Sequence, residues 1–240
     1  MGAVTSAFDA RRLRAVIVDV DGTLYRQGPL RRAMLWRLIR AHLAAPRAGV
    51  ATARALRAYR RAQEALRGGG EDVPDLAAAQ IRLACHASAL SEGRVAACVA
   101  RWMDAEPLVL VARYRREGVA DFLRGAKGRG LRLGVFSDYP PDQKLAALGL
   151  AGLFDVAVCA QDPEVGRFKP HPRGLEVTAH SLGVDPGQAV YIGDRPDTDA
   201  VAARAAGMAC AILGRHRPRR GDAWLPVADY PALSEAILAA

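Results

Sequence analysis

Hydrophobic residues follow two patterns along this chain, and the change between them divides the sequence. The β-branched run Val16 to Val18 predicts a strand that is buried on both faces. Apolar residues three and four apart then continue for about ninety residues, a spacing typical of helices. From Leu131 onward, short apolar runs alternate with helical segments. This order predicts an α/β fold: a Rossmann-like parallel sheet core with helices on both faces and an inserted α-helical region after the first strand.

Proline and glycine divide the insert into four predicted helices, which we expect to pack as a small bundle. Their ranges are 30–45, 47–67, 75–90 and 92–105, and Pro107 is expected to close the insert. Further strands are predicted at 131–136, 156–159, 189–192 and 209–213, with helices at 119–127, 143–148, 173–182 and 200–206. An extended piece at 224–227 and a helix at 231–238 complete the pattern.

Length and composition suit one α/β domain that carries an inserted module. The chain has 240 residues, of which 51% are hydrophobic, enough to bury a substantial core. No apolar run approaches the roughly 20 residues that cross a bilayer, and the first ten residues lack a secretory pattern. We therefore expect a cytoplasmic protein with no membrane partner, either a monomer or a homodimer.

The formal net charge of +9 does not by itself indicate a nucleic-acid partner. Among the 34 basic residues the only lysines are Lys127, Lys144 and Lys169, and alanine is abundant. This composition indicates a coding bias toward alanine and arginine, with most arginines on solvated helix faces. We do not expect nucleic acid as a partner, and the scarcity of lysine makes each one a candidate for a specific role.

Two carboxylates, Asp19 and Asp21, follow the first predicted strand. Open α/β sheets bind ligands just beyond the carboxyl ends of their strands. Two acids at such a position are costly to desolvate unless a cation or a reacting phosphoryl group lies between them. The alternative is an acidic turn, in which Asp and Gly serve turn geometry alone.

Polar residues also follow the later strands, and a parallel sheet would bring them to the same edge. They are Ser137 and Asp138 after the second strand, Lys169 after the third, and Asp194, Asp197 and Asp199 after the fourth. Carboxylates can hold a divalent cation, while the cation, an ammonium and a hydroxyl neutralise phosphate oxygens. The set therefore favours phosphoryl chemistry.

These segments resemble the four motifs of the haloacid dehalogenase (HAD) superfamily, in order. The matching segments are Asp19-Val20-Asp21-Gly22-Thr23, Ser137, Lys169-Pro170, and Gly193-Asp194 with Asp199. The helical insert resembles a C1-type cap, and the whole is similar to phosphoglycolate phosphatases. The resemblance implies a core formed by residues 1–27 and 108–240 and a cap formed by residues 28–107.

The resemblance also implies a role for each matched residue. Asp19 would be the nucleophile, Asp21 the general acid and base, and Lys169 the group that offsets negative charge. Phosphate would bind to Gly22, Thr23, Ser137 and Asp138, through main-chain amides near Gly22 and the Ser137 hydroxyl. Magnesium would be held by Asp19, Asp21 through its main-chain carbonyl, Asp194 and Asp199.

Two assignments stay open at this point. Asp197 could replace Asp199 as the last site acid or could cap the following helix. Asp138 could be a site acid or the cap of the helix after Pro140-Pro141, and the cap is the preferred interpretation.

The expected function is a magnesium-dependent phosphatase of a small phosphorylated metabolite, such as phosphoglycolate, a sugar phosphate or a nucleotide monophosphate. An acid at position 21 argues against dehalogenation, and a cap without lysine argues against phosphonate cleavage through an imine. A phosphomutase and a non-catalytic binding protein remain alternatives. Candidates for substrate selection are Tyr25, Arg26, Arg57, Tyr59 and Arg61.

Overall fold

The computed structural model describes residues 10–69 and 72–239, which contain a six-stranded parallel sheet. The strands are β1 (Ala15–Val18), β2 (Arg132–Ser137), β3 (Val156–Cys159), β4 (Ala189–Gly193), β5 (Ala209–Leu213) and β6 (Leu225–Val227). Their order across the sheet is β3-β2-β1-β4-β5-β6. β1 therefore lies between β2 and β4, and the predicted Rossmann-like α/β fold is confirmed.

Alternate residues of β1 pack into two separate buried clusters, one on each face of the sheet. Val16 and Val18 belong to the cluster that includes Phe122, whereas Ile17 belongs to the cluster that includes Leu175. The core helices are α6 (Val119–Gly128), α7 (Asp142–Ala147), α8 (Arg173–Ser181), α9 (Val201–Ala205) and α10 (Tyr230–Leu238). Because helices cover both faces, a strand of four apolar residues is fully buried.

The insert is helical, as predicted. Its helices are α1 (Gln27–Ala41), α2 (Pro46–Gly68), α3 (Leu76–Ser88), α4 (Glu92–Val99) and α5 (Glu106–Val111). A third buried cluster joins α2, α3 and α4 through Ala55, Tyr59, Ala84 and Val95. The insert thus has a small core of its own, and we call these five helices the cap. The exact division at residues 28 and 107 stays a prediction.

The fourth predicted helix, 92–105, is wrong in detail. α4 ends at Val99, the backbone continues as a π-helical segment over Ala100–Ala105, and α5 follows without a break. Pro107 lies in the first turn of α5, a position at which helices tolerate proline. Helical backbone therefore extends to Val111.

Two neighbouring chain segments connect the cap to the sheet. Tyr25 and Arg115 form an isolated antiparallel bridge. Arg26 N donates to Tyr114 O at 2.8 Å, and Arg116 N donates to Leu24 O at 3.0 Å. The entry to the cap and the exit from it are thus hydrogen-bonded to each other.

Within the described ranges, no helix combines the length and the apolar character needed to span a lipid bilayer.

Candidate active site

The carboxyl ends of β1, β2 and β4 lie on the same side of the sheet, within two residues of one another in register. Val18, the last residue of β1, is paired with Val135 of β2 and with Ile192 of β4. Asp19 N continues the ladder by donating to Ile192 O at 2.9 Å. The polar residues that follow these strands therefore meet at one edge of the sheet, as the sequence predicted.

The Asp19 side chain is buried and held by two donors. Its Oδ1 accepts from Lys169 Nζ at 2.6 Å, and its Oδ2 accepts from Thr23 Oγ1 at 3.0 Å. Burial raises the pKa of Asp19 well above its usual range, Lys169 opposes the rise, and Asp199 and Asp194 add to it. The carboxylate is thus fixed in orientation, in surroundings where further positive charge would stabilise it.

Lys169 lies at the centre of the site, with its side chain only 5% exposed. Besides Asp19, its ammonium contacts Asp199 Oδ1 at 2.8 Å and the Tyr191 hydroxyl at 3.0 Å. Burial alone would lower the pKa of Lys169, but Asp19 and Asp199 outweigh it and hold that pKa well above its usual value. Lys169 is therefore a buried ammonium between two carboxylates.

Three carboxylates form a candidate metal centre. Asp19, Asp194 and Asp199 each place one oxygen within 4.8 Å of the other two. Burial and the neighbouring Asp199 raise the pKa of Asp194 to about 6. One lysine does not balance three crowded acids, so a cation would relieve their repulsion, and an all-oxygen ligand set suits Mg²⁺.

Asp199 also shapes the loop that carries Asp194. Its Oδ2 accepts from the main-chain N–H groups of Asp194 and Arg195, each at 3.0 Å. Asp197 points elsewhere: it forms an ion pair with Arg195 at 2.6 Å, and its side chain is 67% exposed. The structure thus brings Asp199, not Asp197, to the site.

Gly22 occupies a position where a side chain has no room. It has φ +102°, and a Cβ placed there would lie 2.0 Å from Asp194 Oδ2. Its carbonyl oxygen accepts from Arg116 Nε at 2.9 Å. The turn after β1 can therefore approach Asp194 closely, which leaves the predicted phosphate contact to the main-chain amides.

Asp21 lies beside the three acids, but its side chain is bound by other groups. Lys144 Nζ donates to both carboxylate oxygens, at 2.6 and 2.8 Å, and the Tyr25 hydroxyl donates to Oδ1. Burial would raise the pKa of Asp21, yet Lys144 and Tyr25 together lower it. The predicted metal contact through the Asp21 main-chain carbonyl stays a prediction.

Thr23 and Ser137 were both predicted to bind phosphate. The Thr23 hydroxyl donates to Asp19, so its side chain orients the Asp19 carboxylate. Ser137 ends β2, is buried, and its Oγ accepts from Tyr139 N at 3.3 Å. A contact between the Ser137 hydroxyl and phosphate stays a prediction.

Asp138 does not cap the following helix, so the preferred interpretation is wrong. The N-cap of α7 is Pro141, without a side-chain hydrogen bond. Asp138 Oδ2 instead accepts from Gln63 Nε2 at 3.0 Å and Arg67 Nη2 at 2.5 Å, and Oδ1 accepts from Lys169 N at 3.2 Å. Because an ionised carboxylate cannot donate to phosphate oxygens, the predicted phosphate contact of Asp138 would have to use its main-chain amide, and it stays a prediction.

A cavity of about 1100 Å³ lies between the cap and these strand ends. Its cap side includes the guanidinium-bearing residues Arg31, Arg57, Arg60 and Arg61. Among the substrate-selecting candidates, Tyr25, Arg57, Tyr59 and Arg61 line this cavity, whereas Arg26 lines a separate depression beside Arg116. The cavity is thus lined by acids and Lys169 from the strand ends and by several arginines from the cap.

Sequence reasoning missed two basic residues that contact the site acids. Lys144 reaches Asp21 from α7, and Arg67 reaches Asp138 from α2. The scarcity of lysine was a signal for Lys144, but one arginine among 31 gave none for Arg67.

Comparisons with known proteins agree with this geometry. The chain is 30% identical to the phosphoglycolate phosphatase of Rhodospirillum rubrum over 239 residues, covering 92% of this chain and 86% of that protein. It is 31% identical to the glyceraldehyde 3-phosphate phosphatase of Methanopyrus kandleri over 222 residues, covering 88% and 90%. The crystal structure of a HAD phosphatase from Thermococcus onnurineus has the same fold, with a TM-score of 0.61 and 21% identity over 93% of this chain and 97% of that one.

The family model described as haloacid dehalogenase-like hydrolase matches residues 13–207, which include all four motif segments. The match covers most of the chain and includes the cap and strands β1 to β4. The protein therefore belongs to the haloacid dehalogenase-like hydrolase family.

Proposed function

We propose that the protein is a magnesium-dependent phosphatase that hydrolyses phosphate monoesters of small metabolites through an aspartyl-phosphate on Asp19. The observation that carries this proposal is the buried Lys169 ammonium between Asp19 and Asp199, with Asp194 beside them. Attack on a phosphoryl group requires an oriented carboxylate and cationic groups that stabilise the phosphoryl oxygens, and Lys169 and the proposed Mg²⁺ would supply that charge.

In the first step, an Asp19 carboxylate oxygen attacks phosphorus and the bond from phosphorus to the ester oxygen breaks. Lys169 and Thr23 hold the nucleophile, each through a different oxygen. Asp21 donates a proton to the departing oxygen, so that the product leaves as a neutral alcohol. Asp19 is then an aspartyl-phosphate and Asp21 a carboxylate.

In the second step, water attacks phosphorus and the bond between phosphorus and Asp19 breaks. Asp21 accepts a proton from the attacking water, which restores both aspartates and releases inorganic phosphate. One carboxyl therefore serves as acid and then as base, as its place beside the nucleophile allows.

Asp19, Asp194 and Asp199 would hold the metal ion, with Asp21 contributing its main-chain carbonyl. Bound Mg²⁺ supplies positive charge that stabilises the phosphoryl oxygens as their charge increases. Lys169 adds one positive charge that is already in place.

Charges in the cap favour a substrate with a second anionic group. Arg60 lines the cavity, and burial and the neighbouring Arg31 both lower its pKa. In the described part of the chain neither arginine forms an ion pair. Phosphoglycolate, the substrate named for the R. rubrum relative, carries a carboxylate that these guanidinium groups could bind.

The experiment measures phosphate release from an aryl phosphate, phosphoglycolate and glyceraldehyde 3-phosphate, with Mg²⁺ and with a chelator. We expect turnover that requires Mg²⁺, with the largest kcat/KM for phosphoglycolate. Asp19→Asn should lower kcat by at least about 1000-fold, because the nucleophile is lost. Asp121→Asn, a change of the same kind on an exposed helix position, should leave kcat unchanged.

Two outcomes would contradict the proposal. No phosphate release by the wild type, and no difference between it and Asp19→Asn, would indicate a binding protein. Transfer of the phosphoryl group to a sugar acceptor faster than to water would indicate a phosphomutase.

A further inference from the structure

Asp21 is held in place from two parts of the core. Lys144, on α7, donates to both of its carboxylate oxygens, and Tyr25, in the segment that leads into the cap, donates to Oδ1. Oδ1 therefore has two donors, whereas Oδ2 has one, at 2.8 Å. Oδ2 is the oxygen that keeps capacity for a proton.

Lys144 lies between the carboxyl ends of the strands and the cap, and its side chain is 14% exposed. It lines the cavity together with Asp104 of the π-helical segment. Burial raises the pKa of Asp104, and Lys144 partly offsets this effect. Asp21 is nevertheless its ion-pair partner, because both Asp21 oxygens lie within 3 Å of Nζ.

A proton donor works only at hydrogen-bond distance from the atom that it protonates. In a cavity of about 1100 Å³ an unsupported aspartate could take several rotamers. A displacement of about 1 Å can cost about 100-fold in rate. A lysine that bonds both oxygens removes most of this freedom.

We propose that Lys144 is a positioning residue: it holds the Asp21 carboxyl group so that Oδ2 exchanges the proton with the departing oxygen and the attacking water. The inference rests on the proposed phosphatase function and adds a residue that acts only through Asp21. It requires no contact between Lys144 and substrate.

The experiment combines Lys144→Met and Lys144→Arg with a double-mutant cycle against Asp21→Asn. We expect Lys144→Met to lower kcat about 10- to 100-fold while KM stays within about twofold, because substrate binding is intact. Lys144→Arg should recover most of the loss, since a guanidinium can also donate to both oxygens. In the Asp21→Asn background, Lys144→Met should change kcat by less than about twofold.

Lys127→Met is the matched control. It removes another of the three lysines, on α6, where the side chain is 44% exposed and pairs with Asp155. It should behave as the wild type in kcat and KM. Thermal unfolding shows which variants fold. If Lys144→Met does not fold, Lys144→Gln, which is shorter and uncharged, takes its place in the cycle.

The results that would contradict this inference differ from those that would contradict the proposed function. An increase in KM with unchanged kcat would overturn it by making Lys144 a substrate-binding residue. Equal losses with and without Asp21 would overturn it by showing that Lys144 acts independently. An active wild type with an inactive Asp19→Asn and a fully active Lys144→Met would overturn this inference alone, whereas an inactive wild type would overturn both.

Discussion

Steric fit limits which residue types the site can hold as much as charge does. Gly22 shows this most directly, since Asp194 fills the space where its Cβ would lie. A methyl group would have to displace a carboxylate of the candidate metal centre. The identity of this residue is therefore a geometric requirement of the chemistry.

We predict that Gly22→Ala lowers both stability and activity. The left-handed backbone should cost about 1–2 kcal/mol in the free energy of unfolding, and displacement of Asp194 should lower kcat/KM about 10- to 100-fold. Gly130→Ala is the control, because Gly130 has φ +77° with nothing within 4 Å of its Cβ. Urea unfolding and steady-state kinetics on both variants separate the two effects, and equal kcat/KM values would contradict the role given to the close approach.

The sequence identified the site residues that follow a strand, but not the residues from distant parts of the chain that contact them. Asp19, Lys169 and Asp194 stand in local patterns that a parallel sheet converts into proximity. Lys144 and Asp21 are 123 positions apart, and their contact depends on where α7 packs. Asp138 was assigned to a helix cap because local pattern alone cannot reveal an arginine from another element.

At the scale of elements, α2 connects the cap to the candidate active site. Gln63 and Arg67, one turn apart on α2, both donate to Asp138, and Asp138 accepts from Lys169 N. The side chains of Arg67 and Asp138 are 9% and 11% exposed. One carboxylate therefore links a cap helix to the loop that carries the central lysine.

We predict that Arg67→Met destabilises the protein through this link. Asp138 keeps two donors, so the loss should be about 1–3 kcal/mol in the free energy of unfolding. Arg54→Met is the control on the same helix, since Arg54 is exposed, and it should change stability by no more than about 0.5 kcal/mol. Both are measured by urea denaturation, and equal midpoints would show that the Asp138 contact contributes nothing.

The sequence pattern also predicted the types of the elements better than their ends. The helical period across 92–111 does not distinguish an α-helix from a wider π-helical turn, because both keep apolar residues on one side. The interruption at Ala100–Ala105 and the continuation through Pro107 therefore appeared only in the structure.

At the scale of the molecule, the sheet order decides where the chemistry lies. β1 is central, so its end is flanked by the ends of β2 and β4. The residues after these strands, together with Lys169 after β3, complete one site. The cap, inserted directly after β1, closes a cavity over the same edge. The candidate active site and the cap that encloses it are thus both built around the end of β1.

Helix α6 contacts the sheet through an ion pair of Asp155, and the strength of this contact depends on pH. Asp155 precedes β3, and its Oδ2 accepts from Leu133 N of β2 at 2.8 Å, while Lys127 of α6 lies 3.1 Å from Oδ1. Burial would raise the pKa of Asp155, but the Leu133 N–H and Lys127 together lower it. One carboxylate thus joins two strands and a helix.

We predict that Asp155→Asn destabilises the protein at pH 7 and has little effect in acid. A folded-state pKa below the unfolded value of about 3.9 adds stability above that pH, and this stability disappears as pH falls through the folded pKa. Because the Asp155 and Lys127 side chains are 39% and 44% exposed, solvent screening limits the loss at pH 7 to about 0.5–1 kcal/mol. Urea unfolding of wild type and variant at pH 7 and at successively lower values below pH 4 measures the difference. Asp121→Asn controls for the removal of a charge, because the Asp121 side chain is 85% exposed in the wild type. If the stability difference between Asp155→Asn and the wild type stays constant as pH falls, the carboxylate charge is not what holds these elements together.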